Sequence, residues 1–136
     1  MPNANVQRQS DVDFLLGGGV VLGALLGADM NVTTDQSITI RSAKYIVRRV
    51  VCYDASVSLT TAAGGIYTLA AKAGVALVPA AQAYAGLTAA AKWLDLALDA
   101  SASTDYLTAT TLFLSLTTAQ GGAATADFLV IGDALT

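Results

Sequence analysis

A chain of 136 residues, 54% hydrophobic and only 12% charged, is long enough for one domain with a real core, and a net charge of −3 excludes the basic footprint of a nucleic-acid binder. It has no His and a single Cys, Cys52, which excludes Ser–His–Asp and Cys–His catalysis, an intrachain disulfide and a His- or Cys-based zinc centre. All ten acidic residues are Asp, so the strong helix formers are nearly all Ala and Leu, while the abundant Thr and Val suit a pleated sheet.

In chain order, residues 1–13 are polar without a hydrophobic period and read as an extended or disordered arm. Phe14–Ala28 follows, 15 uncharged residues with five glycines. A membrane-spanning helix needs about 20 apolar residues, and three consecutive glycines disfavour a helix of any kind. The favoured reading is an apolar arm that lies on another subunit or on its own body. Ala28–Gln36 is a polar link, so residues 1–36 form the arm and residues 37–136 the body.

Ser37–Ile40 alternates, and Tyr45–Tyr53 is the strongest predicted strand. Both of its faces are largely apolar, which predicts a central strand covered on both sides. Arg48 and Arg49 then point to opposite faces, and one of them needs a carboxylate at a subunit contact. Further strands are predicted at Ile66–Ala71, Gly74–Val78 (ended by Pro79), Lys92–Leu98, Tyr106–Leu116 and Ala126–Ile131. Ala83–Ala91 is the one helical candidate besides the arm, and Asp99–Thr104 reads as a loop. Many short strands with regular turn signals predict an all-β fold: a jelly-roll-like antiparallel β-sandwich of seven or eight strands with an extended N-terminal arm.

An octapeptide occurs twice. Ser58-Leu59-Thr60-Thr61-Ala62-Ala63-Gly64-Gly65 returns as Ser115-Leu116-Thr117-Thr118-Ala119-Gln120-Gly121-Gly122, identical at seven of eight positions. No Lys or helix start follows as a phosphate loop requires, so the Gly-Gly pairs read as the same strand-end turn used twice. Their Thr pairs are candidates for a rim.

No catalytic, cofactor or metal site is expected. Asp11 and Asp13 lack the rest of a calcium loop. Asp95, Asp99, Asp105 and Asp127 could offer a carboxylate pair, but nothing in the sequence brings two of them together. Cys52 lies in an apolar run and reads as an inert core thiol. Tyr45, Tyr53, Tyr67, Tyr84, Tyr106 and Trp93 could make a sugar platform, though aromatics on strands are more often core or interface anchors. Trp93 is the best candidate for an exposed ring.

Ala43–Val51, the Ser58–Tyr67 block and Leu112–Phe128 together resemble small virion proteins of tailed bacteriophages, over about two-thirds of the chain. The resemblance is to the capsid decoration, or cement, type. It implies a jelly-roll homotrimer on the virion surface, with major capsid protein or other virion proteins as partners, no cofactor and no enzymatic role. On this reading Phe14, Leu15, Leu16, Val20, Val21 and Leu22 are arm contacts, and Arg48, Arg49 and Trp93 are body contacts. Two alternatives stand beside it: a tail or fibre module that binds glycans, and a small membrane-associated protein anchored by residues 14–28.

Overall fold

The computed structural model describes residues 19–136, so Phe14, Leu15 and Leu16 lie outside the described residues. Eight strands run β1 (Val20–Asp29), β2 (Gln36–Thr39), β3 (Tyr45–Tyr53), β4 (Ala63–Leu69), β5 (Ala73–Val78), β6 (Trp93–Asp95), β7 (Thr111–Thr118) and β8 (Thr125–Ala134). They form two antiparallel four-stranded sheets, ordered β1-β8-β3-β6 and β2-β7-β4-β5. Only the β4–β5 connection stays within one sheet; every other link crosses the sandwich. This is the jelly-roll order, in which two Greek keys wrap one core.

Alternation drives the packing. On β8, Ala126, Phe128, Val130 and Gly132 face inward and the residues between them do not. On β7, Leu112, Leu114 and Leu116 meet them from the facing sheet. Leu59, Tyr84, Leu87, Ala102 and Leu107, from the connections between strands, complete the core together with Tyr45 and Leu96. Tyr84 packs edge-on against Phe128, ring centroids 5.8 Å apart, and its hydroxyl donates to the Gly64 carbonyl.

Five expectations change. First, the body does not start at residue 37. Val20–Asp29 is a full strand paired with β8, and Leu22, Ala28 and Met30 are buried in the core. Gly23 and Gly27 sit at the two places where β1 shifts register along β8, as a bulged strand allows. Residues 20–28 therefore form neither a docking arm nor a membrane-spanning helix.

Second, β3 is central in its sheet but covered on one face only. A bulge between Val47 and Arg49 flips the phase: Tyr45 and Val47 face inward before it, Val50 and Cys52 after it. A sequence that looks apolar on both faces thus presents one apolar face to the core, in two segments.

Third, Ala83–Ala91 is not helical. The short helix α1 is Ala100–Thr104, within the stretch read as a loop, where the Asp99 carboxylate accepts from the Ser101 N–H as its cap. Fourth, two strands are shorter than predicted. β6 keeps only three residues, and residues 106–110 precede β7, with Leu107 bridging Tyr45 instead.

Fifth, the octapeptide is not one turn used twice. The first copy is loop until Ala62 and strand from Ala63; the second is strand until Thr118 and loop after it. The two copies pair with each other, Ala63 opposite Thr118, Gly64 opposite Leu116 and Gly65 opposite Ser115. A side chain at Gly65 would strike the Val78 carbonyl, whereas Gly121 takes φ +91° with open space around it. One glycine is required by close approach and the other by conformation. The single differing residue joins the copies: Gln120 accepts from the N–H groups of Thr61 and Ala62 at 3.0 and 3.1 Å and donates to the Ser58 carbonyl.

Candidate functional site

The outer face of the β1-β8-β3-β6 sheet carries three of the seven exposed large apolar or aromatic side chains among the described residues, Val21, Leu26 and Trp93; Val57, Leu69, Val75 and Tyr106 lie elsewhere. Val21 and Leu26 come from β1, Leu129 and Ile131 from β8, Ile46, Val51 and Tyr53 from β3, and Trp93 from β6. Trp93 is 61% exposed, Leu26 67% and Val21 46%, values that burial in the core would not permit. The remaining five are half-buried by their neighbours. A contiguous apolar surface of this kind marks an interaction site more often than a chance exposure.

The β3 bulge puts Arg48 and Arg49 both on this face, correcting the expectation that they diverge. Each meets a carboxylate of its own chain. Arg48 holds Asp133 at 2.7 Å and Arg49 holds Asp95 at 3.2 Å, so neither needs a subunit contact for its charge. Both pairs are solvent-exposed and contribute little to stability. The Arg49 guanidinium also lies over the Trp93 ring, 5.8 Å from its centre, a cation–π contact at an exposed site. Tyr53 is the direct cross-strand neighbour of Trp93.

The predicted contact residues therefore separate. Val21, Arg48, Arg49 and Trp93 share this face, Val20 is half-buried beside the core, and Leu22 points into the core. Of the six aromatics weighed as a platform, Tyr45, Tyr67 and Tyr84 are buried. Tyr106 sits under the Lys44 ammonium next to the start of β3, and only Tyr53 stands beside Trp93. Alternation in β3 and β8 carries the signal for Leu129, Ile131, Ile46 and Val51, but in β3 apolar residues on both faces predict burial on both sides.

The opposite sheet carries a cluster that sequence reasoning missed. The β4–β5 hairpin ends in Ala71 and Lys72, both at positive φ (60° and 59°), a turn that ordinarily selects Asn-Gly. Asp35 accepts from the Ala71 N–H at 2.8 Å, and the Lys72 ammonium donates to Ser115 Oγ at 2.9 Å. The Ala71 N–H, the Ser115 hydroxyl and the nearby Lys72 charge hold the Asp35 carboxyl below its usual range. A lysine on a serine oxygen resembles an activated nucleophile, but Ser115 is fully buried beneath it and no substrate can reach it. The cluster pins the hairpin tip to the outer face of its own sheet.

The other reactive groups are enclosed. Burial pushes the Cys52 thiol up to about 12, as it does the Tyr45 phenol, whose hydroxyl donates to the Ala109 carbonyl. Cys52 is thus kept in the unreactive thiol form. A shallow depression of about 600 Å³ is lined by Thr104, Asp105, Tyr106 and Thr108, with no converging acid–base pair among them. Among the described residues no group of three or more His, Cys, Asp or Glu side chains could hold a metal ion, and no helix is long and apolar enough to cross a membrane. Asp11 and Asp13 lie outside the described residues.

No protein-family model, no curated protein and no solved structure matches the chain.

Proposed function

We propose that this protein is a structural component of a phage virion, of the capsid-decorating type, working through surface burial rather than chemistry. The observation that carries the reading is the open apolar face of the β1-β8-β3-β6 sheet, on a sandwich whose reactive groups are buried or paired. The jelly-roll order supports it, as does the segmental resemblance to small virion proteins. Low overall charge fits a surface that spends its working life against neighbours. The partners on this reading are the major capsid protein and other copies of the chain. On this reading Phe14, Leu15 and Leu16 supply further contact.

The test is co-sedimentation of the purified protein with capsids of the phage that encodes it, with a heat challenge of the decorated particles. Binding that saturates at a fixed number of copies and raises the disruption temperature supports the role. A protein that stays in the supernatant at micromolar concentration refutes it.

A second reading, a glycan-binding module of a tail or fibre, draws on the exposed Trp93 ring beside Tyr53, Arg49 and Asp95. Binding on a glycan array that disappears in Trp93→Ala, without any particle binding, would favour it over the first.

A further inference from the structure

We propose that the depression beside Tyr106 is a binding site for a neutral sugar. It lies at the opposite end of β3 from Trp93, and neither capsid binding nor the Trp93 ring enters the argument for it.

The site is built where the loop after α1 is tied to the start of β3. Tyr45 and Leu107 exchange both backbone hydrogen bonds, at 2.9 and 2.7 Å, and both side chains are buried in the core. Side chains alternate along paired backbone, so Lys44 on one segment and Tyr106 and Thr108 on the other point outward together. The Asp105 N–H donates to the Ser101 carbonyl at 3.2 Å, and the Leu135 N–H donates to the Lys44 carbonyl at 2.8 Å. The side chains around the depression therefore stand on backbone that is held from three sides. Tyr53, the cross-strand neighbour of Trp93, is eight residues along β3 from Tyr45, about 26 Å away. Binding at the two places can be read separately.

The groups that converge here suit an amphipathic, polyhydroxylated ring. Thr104, Asp105, Tyr106 and Thr108 line the depression of about 600 Å³. Tyr106 is 56% exposed, and the Lys44 ammonium lies 5.3 Å from the centre of its ring. An exposed phenol ring offers an apolar face to the C–H side of a sugar. Beside it stand an ammonium that only donates, a carboxylate that only accepts and two hydroxyls that do either, the set that sugar hydroxyls need. The ion pairs among the described residues are Arg48–Asp133 and Arg49–Asp95, so Lys44 and Asp105 keep their hydrogen-bonding capacity for a ligand.

The same groups disfavour other ligands. An apolar molecule would cover a carboxylate and an ammonium without bonding to either. A phosphate ester or an acidic sugar would gain Lys44 but meet Asp105, and the two opposite charges cancel. A neutral hexopyranose bonds to both. The depression is shallow and contacts one side of its ligand, so a single sugar should bind with Kd on the order of 1 mM.

The experiment is an amide NMR titration of the full chain with glucose, galactose and N-acetylglucosamine, and with N-acetylneuraminic acid as the acidic comparison. At least one neutral sugar should shift the amides of Lys44 and residues 104–108 and leave those around Trp93 unmoved. Tyr106→Ala should weaken that binding at least tenfold and Asp105→Asn severalfold, with Trp93→Ala unchanged. The spectra also report folding, and if Tyr106→Ala is perturbed, Asp105→Asn carries the same readout. The absence of any shift with all three neutral sugars at about 50 mM overturns the proposal. So does a preference for N-acetylneuraminic acid, or binding that survives Tyr106→Ala. Binding abolished by Trp93→Ala also overturns it and moves the sugar to the glycan reading given above.

Discussion

On the β2-β7-β4-β5 sheet, outward residues Ser115 and Tyr67 are as well buried as the core, because the β4–β5 hairpin folds its tip back and Lys72 reaches across to Ser115. On the β1-β8-β3-β6 sheet, outward residues Trp93, Leu26 and Val21 remain open, and no segment among the described residues lies over them. Both sheets nevertheless leave apolar side chains in solvent, Leu69 and Val75 on the β4–β5 hairpin as well as the three just named. The difference is between a face that its own chain covers at Ser115 and Tyr67 and one that stays open at Trp93, Leu26 and Val21.

Four substitutions test this contrast, from the largest effect to none. Tyr67→Ala should destabilise the fold by about 2–4 kcal/mol in chemical denaturation, because it removes a buried ring from beneath the hairpin. A loss below about 1 kcal/mol would mean that the covered face is covered only loosely. Asp35→Ala should cost about 1 kcal/mol, discounted for the exposure of the carboxylate, and should speed trypsin cleavage after Lys72.

The Asp35 contribution has a definite pH window. Its carboxyl is held below the ordinary 3.8, so the wild-type stabilisation is full above that pH and is lost as the pH falls through the lower folded-state value. Asp35→Ala should show a flatter acid limb in a stability–pH profile. Ala71→Asn should gain about 0.5 kcal/mol, since Asn tolerates positive φ better and keeps the backbone N–H that Asp35 accepts. Trp93→Ala should change the stability of the single chain by less than about 0.5 kcal/mol, the ordinary value for an exposed position. A cost like that of Tyr67→Ala would show that the open face is structurally committed after all.

Much of the fold was legible. Clean alternation in β2, β7 and β8 and the turn residues between strands led to an all-β sandwich of the right strand count. The arm boundary was not, because an edge strand such as β1, with two bulges and two glycines in ten residues, has no clean period. The site was half legible. Trp93, Arg48, Arg49 and Val21 were singled out, but the extra residue of a bulge is invisible in a sequence, and without it the two arginines appear on opposite faces.

By itself, then, the sequence determined what this chain cannot be, and roughly what it is built from. Without His, Glu or paired Cys, several common catalytic sets and cysteine-based metal sites are ruled out, and period-two runs with Gly and Asp turns make strands. Only the tertiary structure decided which repeat pairs with which, which glycine is there for space, and which sheet face stays open. Those outcomes depend on contacts between residues far apart in the chain, such as Lys72 with Ser115 and Gln120 with Thr61, and local propensity does not encode them.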